Sequence, residues 1–307
     1  MIRPDSYTAE LVAGLSRQPR AIAPKWFYDE AGSRLFERIC ELPEYYPTRT
    51  ELALLDHCAA DIAQCLGRHA EIVEFGAGAA RKVRILLDAL EAPLRYVPVD
   101  ISGDHLLDAA QGLRAAVPGL AVDPVVADFT QALALPEPIG RRVGFFPGSS
   151  IGNFEPADAV ELLRHFSATL GGGGLLIGVD LVKDPAVLHA AYNDSAGVTA
   201  EFNLNLWARA NREAGADFDL AQWQHSAFYN PPLRRIEMHL VSRCDQRVTV
   251  AGHSFDFAEG DSVHTENSFK YTVQGFGALA REAGFRQDRV WTDPLRQFSL
   301  HWLTSAQ

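Results

Sequence analysis

The sequence predicts an α/β protein: an open, mostly parallel sheet with helices on both faces, joined by a discontinuous α+β part. Three observations carry that expectation. Short apolar runs alternate with helical periodicity from residue 71 to 181, the alternation lapses after about 183, and strand-like segments return before the end. In such a chain each crossover helix returns the next strand parallel to the last and covers one face of the sheet.

Taken in order, residues 5–45 read as helical and amphipathic, closed by the aromatic and proline cluster LPEYYP (42–47), and a helix follows from Glu51 to about Leu66. EIVEF (71–75) is strand-like, KVRILLDAL (82–90) helical, RYVPVD (95–100) strand-like and HLLDAAQGLRAAV (105–117) helical. LAVDPVVADF (120–129) carries the next strand, VGFFPG (143–148) another, DAVELLRHFSATL (158–170) a helix, and LLIGVDL (175–181) a strand after a four-glycine turn. Beyond 183 two helices break near Asn193 to Gly197. RIEMHLVSR (235–243), RVTVAG (247–252) and HSFDFA (253–258) read as consecutive antiparallel strands. A helix around 276–284 and strands at 288–293 and 298–303 close the chain, the last two as a hairpin joining the sheet.

Composition narrows the class. The chain has 307 residues, 47% hydrophobic, and 28 Lys and Arg against 39 Asp and Glu, a net charge of −11. That is ample for a core, and it disfavours phosphate backbones and anionic membranes as partners. No stretch of about 18 apolar residues exists, and MIRPDSYTAELVAGL lacks the basic and then continuously apolar pattern of a secretory signal. Cys40, Cys58, Cys65 and Cys244 form no CxxC pair, which suits a reducing compartment. The expectation is a soluble cytoplasmic protein. The ten His residues form no HExxH, no helix-spaced pair and no Cys/His cluster, so no metal is expected.

The first chemical signal is EFGAG, which sets Glu74, Gly76 and Gly78 at the carboxyl end of the first strand, where open α/β sheets bind ligands. Asp100 ends the second strand, positioned for ribose hydroxyls; Asp128 and Phe129 end the third, suited to an adenine amino group and an adenine face. Arg81 stands where a dinucleotide fingerprint has its third glycine, and no GxxxxGK[ST] loop is present, so a nucleotide-dependent oxidoreductase is disfavoured. For Asp100 a plainer role is a cap for the SGDHLL segment, which Ser102 would fill equally well. Together the three strand ends resemble those of class I S-adenosylmethionine-dependent methyltransferases.

The resemblance becomes specific outside this loop. KWFYDEAGSRLFERICELPEYYPTRTE (25–51), FPGSSIGNF (146–154), GVDLVKD (178–184), AYNDSAGVTAEFN (191–203), RIEMHL (235–240), HTENSFKY (264–271) and WTD (291–293) are similar to the L-histidine Nα-methyltransferase family of ergothioneine biosynthesis. The likeness runs from about residue 20 to the C-terminus. It implies a Rossmann-like cofactor domain (50–182 and 271–307) and a substrate-capping α+β domain (1–49 and 183–270). It implies that Phe36, Gly76, Gly78, Lys82, Asp100, Asp128 and Phe129 hold S-adenosylmethionine, and that Tyr45, Gly148, Asn153, Tyr192, Met238, Glu266 and Ser268 form the substrate pocket. Tyr28, with Phe36, would line the cofactor and amine region, where the amine's proton leaves through no dedicated strong base but through Tyr28 or an ordered water. The product implied is hercynine, the partner a small molecule, and the protein a monomer with no metal.

The residue types suit that chemistry. Asn153 and Tyr192 offer neutral donors for an α-carboxylate; Glu266, Ser268 and Tyr45 offer acceptors and hydroxyls for two ring nitrogens. Each also has a plainer role. Tyr45 and Tyr192 suit core aromatics, Asn153 a turn or cap before Pro156, Met238 core filling, and Glu266 and Ser268 one face of a solvated strand. Only the joint match favours the pocket. Two other functions remain: methylation of another amine, such as a tryptophan-derived one, on the same fold, and a cofactor-binding protein without activity. Glu266 and Ser268 speak against the first, since an indole needs no such pair. The presence of every pocket residue speaks against the second.

Overall fold

The computed structural model describes residues 4–305. The chain divides into two compact units. One runs to Tyr45 and resumes over Asp184–Ser268; the other comprises Tyr46–Lys183 and the segment from Phe269. The first opens with α1 (Pro4–Ser16), a 3-10 turn (Pro24–Phe27) and α2 (Glu30–Glu41). The second follows with α3 (Tyr46–Leu66), β1 (Ala70–Phe75), α4 (Arg81–Ala89), β2 (Arg95–Asp100), α5 (Gly103–Ala116), β3 (Ala121–Val122), β4 (Val125–Val126), β5 (Arg141–Phe146), a 3-10 turn (Ser150–Asn153), α6 (Pro156–Leu170) and β6 (Leu175–Asp180). The first resumes with α7 (Pro185–Tyr192), α8 (Val198–Glu213), β7 (Trp223–Asn230), β8 (Arg235–Ser242), β9 (Gln246–Val250), β10 (His253–Phe257) and β11 (Ser262–Phe269). The second closes with α9 (Val273–Glu282), β12 (Phe285–Thr292) and β13 (Phe298–Ser305).

In the second unit the sheet order is β12-β13-β6-β5-β1-β2-β3, with β4 also pairing β2. β1, β2, β5 and β6 run parallel, whereas β13 is antiparallel to both β6 and β12, so the terminal hairpin joins the sheet as the sequence predicts. β1 and β6 are buried at every position, the mark of strands covered on both faces. Successive residues feed opposite cores. Ile72 joins Leu55 and Ile62 of α3, Val83 and Leu86 of α4, and Val143. Val73 and Phe75 join Leu163 and Phe166 of α6, Ile177, and Phe276 of α9. Phe75 and Phe166 stack with ring centroids 3.8 Å apart. At Gly174, entering β6, a Cβ would come within 2.0 Å of Trp302 Cη2, so the missing side chain makes room for the indole.

The first unit carries a three-stranded sheet, β11-β8-β7, and a separate β9-β10 hairpin. The expected run of consecutive antiparallel strands over 235–258 is therefore split. Both edges of β8 are filled by β7 and β11, which leaves β9 only β10 to pair with. β7 was not expected from the sequence, because WQHSAFYN mixes polar and apolar residues too evenly to announce a strand. The continuous helical reading of 5–45 is also corrected. Pro19 and Pro24 lack the N–H a helix needs, and Asp29 starts α2 afresh by accepting from Gly32 N–H at 2.7 Å. Pro124 likewise divides the strand expected over 120–129 into β3 and β4.

Candidate functional site

Of the expected cofactor residues in the second unit, Gly76, Gly78, Asp100, Asp128 and Phe129 sit at or just beyond the carboxyl ends of its strands, and Lys82 lies in the first turn of α4. Gly76 follows β1 with φ +73°, and its N–H bonds Val99 O at 2.8 Å; a Cβ there would meet Phe129 Cε1 at 3.4 Å. Loop and ring are thus neighbours, and the bare glycine keeps the backbone open. Gly78 is exposed with open space around it. Asp100, ending β2, accepts from Ser102 N–H at 2.8 Å, while the Ser102 side chain does not cap α5. Burial pushes the Asp100 pKa up to about 6, partly opposed by that N–H and by His105. Asp128 accepts from Thr130 N–H at 3.0 Å and its hydroxyl at 2.6 Å. Phe129 packs edge-on to Phe146 at 5.4 Å.

These groups fit an adenosyl ligand. A cradle that a Cβ would narrow lies beside an aromatic ring, and a carboxylate destabilised by burial gains from hydroxyl donors. Gly148, φ +79°, and Asn153 lie after β5 in the same unit. Asn153 ends a 3-10 turn and does not cap α6, whose N-cap is Glu155. Glu74 is buried on β1; burial pushes its pKa up to about 8, while the Tyr96 hydroxyl that donates to it pulls the other way.

In the first unit the remaining residues form a second set. The Tyr28 ring lies 5.6 Å from Phe36 and 5.8 Å from Phe202, Phe36 lies 6.3 Å from Tyr45, and Tyr45 lies 6.3 Å from Tyr192. The Tyr192 hydroxyl donates to Ser268 Oγ at 2.7 Å. Burial, with Tyr192, Cys40, Tyr28 and Glu266 near it, pushes the Tyr45 phenol well above its ordinary range, so it is a neutral donor. Met238 is buried on β8, opposite Ala227 of β7. Phe36, expected at the cofactor, belongs to this aromatic group of the first unit.

Each unit also holds buried polar residues that the sequence does not announce. His225 Nε2 faces Tyr192 O at 2.9 Å and must donate to it; Nδ1 then accepts from Asn203 Nδ2 at 2.9 Å, which fixes the tautomer. Burial lowers the His225 pKa and keeps the ring neutral. Asp194 caps α8 by accepting from Val198 and Thr199 N–H, both at 2.8 Å, and so fixes the turn after Tyr192. In the second unit, buried Asp180 accepts from Tyr46 OH at 2.7 Å and pairs with Lys270 at 2.8 Å. Burial alone would raise Asp180, but Lys270 and Lys183 hold it below its ordinary range. Burial pushes Lys183 itself down to about 8.

The sequence offers no Cys/His cluster, and the fold adds a grouping of another kind. Glu237 and His239 of β8 and His264 of β11 bring one potential ligand atom each within 4.8 Å of one another, a grouping that only strand pairing reveals. Glu237 Oε1 accepts from Arg235 Nε at 2.8 Å and Asn230 Nδ2 at 2.9 Å, while Oε2 faces His239 Nε2 at 3.3 Å.

A parallel sheet whose order reverses beside β1, closed by an antiparallel last strand and carrying Gly76, Asp100 and Asp128 at its strand ends, defines a class I S-adenosylmethionine-dependent methyltransferase. The family described as histidine-specific, SAM-dependent methyltransferases matches residues 7–305, and the chain belongs to that family. It is 45% identical to a histidine N-alpha-methyltransferase of Mycolicibacterium smegmatis over 94% of this chain and 91% of that one. It is 40% identical to a histidine N-alpha-methyltransferase of Mycobacterium tuberculosis over 95% and 92%. An ergothioneine biosynthesis protein 1 of Neurospora crassa is 32% identical over 94% of this chain and 34% of its own length.

Proposed function

We propose that this protein transfers three methyl groups in succession from S-adenosylmethionine to the α-amine of L-histidine, giving hercynine for ergothioneine biosynthesis. The observation that carries the reading is 45% identity, over nearly the whole of both chains, to a histidine N-alpha-methyltransferase. In support, the polar first-unit set suits a free amino acid with a two-nitrogen ring.

The cofactor supplies an activated methyl on a sulfonium; the protein supplies position and a dry surrounding. In this reading Asp100 accepts from the ribose hydroxyls, Asp128 accepts from the adenine amino group, Phe129 lies against the adenine face, and Gly76, Gly78, Lys82 and Phe36 complete the cofactor contacts. Asn153 donates to the substrate carboxylate near Gly148, as does the Tyr192 hydroxyl once it turns from Ser268 Oγ. Glu266, Ser268 and Tyr45 take the imidazole, with Met238 against its apolar edge. A buried site built for such hydrogen bonds rejects side chains that leave it unpaired, by as much as ~10⁴.

The amine must lose a proton to expose its lone pair, and Tyr28 relays that proton to water. We read the Glu237–His239–His264 group as a hydrogen-bonded part of the sheet and assign no metal to the reaction. The same reading takes the protein as a cytoplasmic monomer without nucleic-acid or membrane partners. The net charge of −11 disfavours phosphate backbones and anionic membranes, and no helix among the described residues is long and apolar enough to cross a membrane.

The relay is tested with Tyr28→Phe, following the mono-, di- and trimethyl products over time. The expected result is a slower rate, about tenfold or more, with weaker dependence on pH. An unchanged time course for every step removes Tyr28 from proton transfer.

A further inference from the structure

Glu51, in the second turn of α3, has no exposed surface. Its Oε2 lies 2.6 Å from Lys82 Nζ, and both of its oxygens lie 2.9 Å from Gly148 N. β6 makes room for it: a Cβ on Gly178 would come within 2.1 Å of Glu51 Oε1. A buried carboxylate is costly unless it is paired and hydrogen-bonded, and here one cation and one N–H meet that need.

The three groups come from different parts of the second unit. Lys82 lies in the first turn of α4, after the glycine loop that leaves β1; Gly148 follows β5, the strand beside β1. Gly148 adopts φ +79°, and a Cβ there would lie 3.4 Å from Lys82 Nζ, so the ammonium rests against this bare turn. A free lysine side chain carries rotamer entropy that is lost when it is held to a ligand. Anchoring it before a ligand arrives removes part of that cost from binding.

We propose that Glu51 is a positioning residue for methyl transfer, holding the Lys82 ammonium and the Gly148 N–H in one fixed arrangement so that the cofactor contact and the turn after β5 are set together. This rests on the reading that Lys82 touches the cofactor. Glu51 itself touches neither cofactor nor substrate; it acts through Lys82 and Gly148. An amide in its place keeps the size but loses the charge, and its NH₂ opposes one of the two donors.

The test is a cycle of Glu51→Gln, Lys82→Met and the double variant, with S-adenosylhomocysteine affinity measured by calorimetry and KM and kcat measured separately. Each single variant should weaken binding by about tenfold, and the double variant should be no more than about twofold worse than the weaker single, because both act on one contact. KM for S-adenosylmethionine should rise far more than kcat at saturation falls. A purely structural role would lower Tm and leave the affinity of the folded fraction unchanged. Lys82→Met without effect overturns the reading of Lys82 as a cofactor contact. Lys82→Met weakened while Glu51→Gln binds normally, or effects that simply multiply, overturn the proposal alone. If Glu51→Gln does not fold, Glu51→Asp, which keeps the charge on a shorter arm, replaces it in the same cycle with the same outcomes deciding.

Discussion

Asp100 offers the sharpest test of the cofactor set. Its carboxylate ends β2, and burial pushes its pKa up to about 6, with the Ser102 N–H at 2.8 Å acting the other way. A hydroxyl donor adds a charge-assisted bond, and such bonds contribute about 1.5–3 kcal/mol, or ~10- to 150-fold in affinity. The perturbation is Asp100→Asn, which keeps the shape and removes the charge. Calorimetric titration with S-adenosylhomocysteine from pH 5 to pH 8 should give two results. At pH 8 the variant binds ~10- to 150-fold more weakly. The wild type, whose ionised carboxylate is the binding form, should hold a flat affinity above about pH 6 and lose up to about tenfold per pH unit below it; the variant should lack that limb. Equal affinities at pH 8, with the same pH dependence in both proteins, would refute the role of Asp100.

Three further outcomes rest on the packing and the buried acids. Glu74 has its pKa raised by burial from 4.5 to about 8, so its protonated form is favoured on folding; its contribution is full below about pH 4.5 and lost as pH rises through about 8. Glu74→Gln should therefore gain stability on the wild type between pH 5 and pH 9, by at most a few kcal/mol in chemical denaturation; parallel curves would contradict this. Gly174→Ala should cost about 3 kcal/mol or more, because the new Cβ would lie 2.0 Å from the Trp302 ring. A wild-type Tm would show that the indole has room to move. Trp302→Leu combined with Gly174→Ala should recover part of that loss, since the smaller side chain vacates the space the Cβ needs.

Much of the second unit was legible because its signals are local. Apolar runs such as EIVEF and LLIGVDL have the length and continuity of strands covered on both faces, and β1 and β6 lie within a residue of where those runs place them. The missed breaks lie at prolines, whose effect is set by the conformation of the neighbouring residues: Pro124 splits a strand, and Pro19 and Pro24 divide the first helical stretch. β7 stayed hidden because its alternation is set by partners distant in sequence. For the candidate site, the family-like strings marked residues one by one, but not their partners. Nothing in the string around Glu51 announces Lys82 or Gly148, and Glu237, His239 and His264 meet only once β8 and β11 are adjacent. Asn203 and His225, which hold Tyr192 through its carbonyl side, were equally invisible.

The central claim is that histidine is the methyl acceptor, selected by its ring. The most direct measurement is incubation of the purified protein with labelled S-adenosylmethionine and each of the twenty amino acids in turn, read by mass spectrometry, alongside the Glu266→Ala variant. The account predicts that histidine alone accumulates three methyl groups on its α-nitrogen, that tryptophan gains none, and that Glu266→Ala loses this preference more than it loses cofactor affinity. No turnover of histidine, or equal turnover of tryptophan by the wild type, would contradict it.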